Sequence, residues 1–288
     1  MGRYIKKSAM IKIFSSKMAA VALIMFVTAW QYNQPFLEFI KLKNYPISWC
    51  IFPFFLASHQ FMAIFYFCMI YLNTDVPFMQ HSNMYQLIRT GRIKWGIGQI
   101  AGMILRYLFA IIMATVIASL PFLGKMEWTN EWGKVVYTIA TQNVSADFIS
   151  SHDLAFTFYY EVLGKYSPIQ LMLLTIGLCI LICTFLGLAM FLSSLFLGRI
   201  CAVSGAFILV IMIYFVQNAT PGMKQTIAYF VPAYWAAVSL IATPSSGYYR
   251  LPSLAYMFTF LCIAIAAMGM LILFKIKHME YNWENEDM

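Results

Sequence analysis

Apolar runs about as long as a bilayer is thick recur along this chain, and they constrain its fold more than any other feature. A helix rises about 1.5 Å per residue, so about 20 predominantly apolar residues cross roughly 30 Å of hydrocarbon. Runs of that kind fall at about residues 18–37, 48–72, 98–123, 168–197, 200–217 and 251–274. They are continuous rather than alternating, which excludes a membrane β-barrel. Only 10% of the 288 residues are charged and 62% are hydrophobic, too little charge to cover a soluble domain of this length. The expected fold is an all-α integral membrane protein, one domain over residues 1–288 with six transmembrane helices and both termini in the cytosol.

Charge sets the orientation. The formal net charge is +8. In the six-span topology, twelve of the nineteen basic residues and five of the eleven acidic ones face one side. By the positive-inside rule that side is the cytosol. The surplus is thereby explained as orientation signal and attraction to anionic lipid, with no nucleic-acid partner implied. Lys-rich, acid-poor inner flanks and unpaired cysteines point to a multi-pass protein of the plasma membrane. Cys50, Cys68, Cys179, Cys183, Cys201 and Cys262 all lie in or beside apolar runs and are expected to be small buried apolar residues.

Residues 1–17 interleave Arg3, Lys6, Lys7, Lys12 and Lys17 with apolar side chains, a pattern for a segment lying on the cytosolic face. Met18–Trp30 carries the apolar core of the first span. Val27-Thr28-Ala29 imitates a signal-peptide end, yet the spans that follow require this one to be kept. Gln31–Pro46, with Pro35, Lys41, Lys43 and Pro46, is expected to be the first outside loop. Ser48–Leu72 returns to the cytosol, with His59 and Gln60 near its middle and expected to face other helices. Lys125–Ser167 is a long outer loop in which Trp128, Trp132, Tyr137, Tyr159 and Tyr160 are candidate interfacial anchors. His152-Asp153 within it lacks the spaced third ligand that a metal site needs. A tight turn at Arg199 separates the fourth and fifth spans. Thr226–Ala242, broken by Pro232, is expected to be re-entrant or interfacial.

Two groups of residues stand out. The segment MYQLIRTGRIKW, Met84–Trp95, lies between two spans with Arg89, Arg92 and Lys94 and no acidic residue. Leu87 adds an apolar side chain, and Tyr85 and Trp95 are of the kind enriched in interface hot spots. Gly177, Thr184, Gly187, Ser194 and Gly198 share one face of the fourth span, within about 100° at 3.6 residues per turn. Small residues there allow close helix approach in lipid, either within the chain or at a dimer or translocation interface. The chain has no phosphate-binding GxxxxGK[ST] loop, HExxH, CxxC or GxSxG, and no Asp or Glu interrupts the spans beyond Glu38 at the edge of the first.

With those residues in place, the layout resembles the permease subunits of type-two ATP-binding-cassette (ABC) exporters. LIRTGRIKWGIGQIAG is similar to that family's run of an arginine, a small residue, further basic residues, an aromatic residue and the next span. The broken segment Ile227–Ala242 matches its outer hairpin. The resemblance implies that Met84, Tyr85, Leu87, Arg89, Arg92, Lys94 and Trp95 form a coupling helix resting in a cleft of a separate ATPase subunit. It further implies a second permease copy or a sister subunit, and ATP and magnesium held by the partner, with no cofactor on this chain. The cargo expected from spans poor in acidic residues is amphipathic, a peptide or lipid-like molecule. Two alternatives remain: an accessory or immunity membrane protein that transports nothing, and a membrane enzyme using the outer loop.

Overall fold

The computed structural model describes residues 15–74, 87–141, 156, 158–241 and 251–278. The basic segment of residues 1–14, Met84, Tyr85, His152 and Asp153 lie outside the described residues. Within them the fold is all-α apart from one two-residue parallel ladder, Ile47–Ser48 (β1) with Met126–Glu127 (β2). Three helices are long and apolar enough to cross a membrane: Arg92–Ser119 with its 3₁₀ extension to Phe122, Pro168–Asn218, and Leu254–His278.

The first helix, α1 (Ser16–Lys43), starts where Ser15 accepts a hydrogen bond from the Met18 amide. It runs unbroken through Pro35 to a left-handed Asn44. Gln31–Lys43 is therefore helical and not the first outside loop. At 28 residues the helix is about 42 Å long.

Ser48–Leu72 is not one continuous span, contrary to the sequence expectation. After β1 come a single buried turn, α2 (Phe52–Phe55), a bend at residues 56–58, and then α3 (His59–Leu72). The break falls where Ser58, His59 and Gln60 interrupt the apolar run. His59 is half-buried against Tyr214, and Gln60 is exposed and takes a hydrogen bond from Tyr32. The buried break packs its carbonyls on protein: Ser239 donates to the Pro53 carbonyl at 3.4 Å. Such backbone inside an apolar bundle requires protein partners.

Next come α4 (Arg92–Ser119), α5 (Gly133–Ala140), α6 (Tyr160–Lys165) and α7 (Pro168–Asn218). At 51 residues α7 would be about 76 Å long if straight. Its contacts show that it folds back. Pro168 lies beside Cys50, and Gly187 beside Asn73, so residues 168–197 run parallel to α3. Phe207 stacks on Phe67 and Tyr214 meets His59, so residues 199–218 run antiparallel to it. The reversal sits at Gly198, with φ 82° and ψ 175°, a region essentially reserved for glycine. The turn is thus one residue before Arg199. A Gly198→Ala variant is expected to unfold at lower temperature in detergent, with a loss on the order of 1–2 kcal/mol; an unchanged midpoint would contradict the strained turn.

The chain then forms α8 (Pro221–Ala228), a 3₁₀ turn at Pro232–Ala236, α9 (Val238–Ile241) and α10 (Leu254–His278). Pro232 breaks the expected Thr226–Ala242 run, and residues 231–239 are buried. Trp235 donates to the Ala228 carbonyl at 2.7 Å and packs on Tyr256 and Phe260.

One end of the bundle is an aromatic cap. Phe36, Phe54, Phe55, Phe156 and Phe158 meet with ring centres 4.7–5.8 Å apart. Trp132 is buried there and donates to the Tyr166 carbonyl at 2.8 Å, so it belongs to the cap core and not to an interfacial belt. Trp128, Tyr137 and Tyr160 are exposed, as anchors would be. Four cysteines are buried, whereas Cys201 and Cys262 are exposed, because residues 199–218 and α10 present much of their apolar surface outward.

Candidate functional site

The end opposite the cap gathers positive charge. Arg89, Arg92, Lys94, Arg199 and Lys277 are exposed there. Lys275 lies 4.7 Å over the Phe196 ring, and Lys17 lies 5.1 Å over Tyr71. Among the described residues the four acidic ones, Glu38, Glu127, Glu131 and Glu161, all stand toward the cap. Among the described residues, the basic end thus carries no acidic side chain, whereas the cap end carries both signs.

The basic segment forms an elbow at this end. A helical turn over residues 87–90 stops at Gly91, with φ 79° and ψ 152°, and α4 begins at Arg92. The glycine-only geometry sets the angle between the two pieces. Arg92 donates through Nη1 to the Lys277 carbonyl at 3.1 Å, satisfying one of the carbonyls that the end of α10 leaves open. Two turns of α4 then pin the elbow: Trp95 packs edge-on against Phe191, and Gly96 lets Ile276 and Leu273 approach closely.

Only part of the expected docking set faces outward. Trp95 is fully buried and Leu87 is 8% exposed, so neither serves as an anchor for another protein. Trp95 opens the buried series Gln99, Gly102, Arg106 and Ala110 on one face of α4, and that register turns it inward. Arg89, Arg92 and Lys94 are exposed as expected. Beside them Ile88 is 68% and Ile93 46% exposed. These two isoleucines supply the apolar surface that Trp95 does not. The signal for Ile93 was its position between Arg92 and Lys94, away from the inward face of α4, whereas Ile88 next to Leu87 carried none.

About four turns along α4 from the elbow, roughly 21 Å by helical rise, lies a buried polar cluster joining three helices. Arg106, 4% exposed, donates to the Leu72 carbonyl and to the Gly102 carbonyl, each at 3.4 Å. Asn73 donates to the Tyr107 hydroxyl. These contacts tie the C-terminal end of α3 to α4. Buried polar groups in an apolar bundle need such partners. Gly187 of α7 completes the junction. A Cβ there would stand 2.5 Å from the Met103 sulfur, 2.8 Å from the Tyr107 hydroxyl and 3.0 Å from the Asn73 amide.

The small-residue face of α7 is thereby resolved residue by residue. Thr184 is buried and Gly187 packs within the chain. Ser194 is half-buried and donates to the Phe191 carbonyl. Gly177 and Gly198 have open space where a side chain would be. The central pair therefore serves packing inside the protomer, and the outer pair leaves shallow gaps on the surface.

No protein family, no curated protein and no solved structure matches the chain.

Proposed function

We propose that the chain is the membrane-spanning subunit of an ATP-driven exporter of the ABC type. It crosses a plasma membrane six times, by α1, the α2–α3 unit, α4, the two arms of α7, and α10. The basic elbow and both ends of the chain face the cytosol, where the positive-inside rule puts them. A separate ATPase subunit docks on the elbow and holds the ATP and magnesium. The cargo is an amphipathic peptide or lipid-like molecule, and a second permease copy or a sister subunit completes the pathway.

The observation that carries this function is the construction of the elbow. It offers exposed Ile88 and Ile93 among Arg89, Arg92 and Lys94, and is fixed from behind by Trp95 against Phe191, by the Arg92–Lys277 bond and by the approach of Ile276 and Leu273 to Gly96. A solvated topology loop needs only the charges. A lever receiving force from a partner also needs rigid attachment to several helices, and this elbow has it.

Purification from native cells in a mild detergent tests the proposal. A co-purifying subunit with a phosphate-binding loop, at about one copy per permease, is the expected result. An intact native oligomer without any ATPase would favour the accessory or immunity protein.

A further inference from the structure

A second feature lies at the opposite end of the bundle and is independent of the elbow. Where residues 199–218 lead into α8, a cavity of about 250 Å³ opens. Pro221, Leu240 and Leu251 form apolar walls, and Gln217, Lys224 and Tyr234 bring polar atoms to it. The Lys224 ammonium stands 5.9 Å from the centre of the Tyr234 ring. Among the described residues no acidic side chain lines the cavity.

A lysine in that setting is unusual for this protein. Lys224 is drawn partly out of water, and burial lowers its pKa from the ordinary lysine value. Its compensation is the face of Tyr234, an attraction of modest strength. A partly desolvated cation beside a polar amide, in a cavity with apolar walls, is chemically complementary to an anion that carries an apolar part. The cavity is smaller than the roughly 300–1,000 Å³ pockets that enclose drug-sized ligands, so it matches a head group and its first carbons. Met223, next to Lys224 in the chain, is exposed and apolar.

We propose that this cavity binds the anionic group, carboxylate or phosphate, of a small amphiphile, with Lys224 as the counter-charge and Gln217 as a second donor. The anion restores to Lys224 the charge stabilisation that burial removes, and the apolar walls select against free inorganic ions. The source is either a lipid head group of the surrounding membrane or a soluble amphiphile arriving from the cap side.

The test uses the full chain in phosphatidylcholine nanodiscs, with lysines dimethylated by ¹³C-formaldehyde and the Lys224 resonance assigned by its loss in Lys224→Gln. Octanoate is the probe, with neutral octyl maltoside as control and exposed Lys41 as an internal reference. Octanoate is expected to raise the Lys224 titration midpoint saturably, by about tenfold in proton affinity, and to leave Lys41 unmoved. Radiolabelled octanoate should bind Lys224→Gln about tenfold more weakly. If replacing about a fifth of the lipid with phosphatidylglycerol raises the midpoint alone and removes the octanoate response, the anion is a lipid head group. If phosphatidylglycerol does nothing while octanoate acts, the ligand is soluble. A Lys224 midpoint unmoved by both, or moved equally with Lys41, would overturn the site.

Discussion

A Gly187→Val variant is expected to separate α7 from α4 and α3 and to lose about 3 kcal/mol of stability. Valine adds three carbons where a single Cβ already meets Met103 at 2.5 Å and Tyr107 at 2.8 Å. Real Cβ atoms do not approach so closely, so something must shift. Met103 is flexible and can yield. The Tyr107 hydroxyl cannot yield without releasing its bond from Asn73, and both are buried. An unpaired buried amide or hydroxyl costs about 1–3 kcal/mol, which puts the loss at the upper end of what overpacking produces. The Asn73 side-chain oxygen is already without a partner, so the cluster has little reserve. The measurement is a thermal or denaturant midpoint in detergent. Gly177→Val, with open space at the same spacing, is the matched control and should change the midpoint little. Equal losses in the two variants would mean that α7 packs by volume in general and not through this junction.

The second large effect concerns the elbow. Reversing charge with Arg89→Glu and Arg92→Glu is expected to abolish ATPase co-purification and transport while leaving the permease inserted and folded. Charge-assisted hydrogen bonds to a partner are the stronger kind, and two reversals replace attraction by repulsion, together worth several kcal/mol at an interface. Arg92 also donates to the Lys277 carbonyl, so its reversal alone confounds docking with a loosened α10. Arg89→Glu alone separates the two, since Arg89 stands exposed on the far side of Gly91. It should weaken ATPase binding at least about tenfold with no change in thermal midpoint. Undiminished ATPase binding in the double variant would remove the coupling role.

Much of the fold was legible because apolar length and breaker residues are local signals. Pro168 at the first turn of α7 and Pro232 as a break act through their own backbone. The turn expected at Arg199 falls one residue after the reversal at Gly198, which had been read instead as part of the small-residue face. The break at residues 56–58 was not legible. Ser58-His59-Gln60 interrupts the apolar run there, but polar residues inside a span are equally accommodated by facing other helices, so they do not by themselves separate one helix from a turn followed by another. The end of α1 was misjudged because Pro35 and two lysines suggest a loop, while the helix continues through Pro35 to Lys43, with both lysines in its last turn where they complement the helix dipole.

The elbow was legible in its charges and not in its apolar contacts. Trp95 stands beside Lys94, and a tryptophan among cations resembles an anchor. Its inward register follows only once Gln99 and Arg106 are recognised as buried, and polar residues on a buried face conceal it from a hydrophobicity pattern. The same two residues explain why the Arg106 cluster was not foreseen. Its partners are the Leu72 and Gly102 carbonyls, and backbone acceptors leave no trace in side-chain sequence.

Site-specific photocrosslinking in native membranes tests the central claim most directly. A photoreactive residue at Ile93, and separately at Leu173, places one probe on the elbow and one on the 66% exposed apolar surface of α7. The account predicts that Ile93 forms a covalent adduct with a polypeptide bearing a phosphate-binding loop and that Leu173 does not. An Ile93 probe that labels only lipid or solvent, in membranes where the protein is functional, would contradict it.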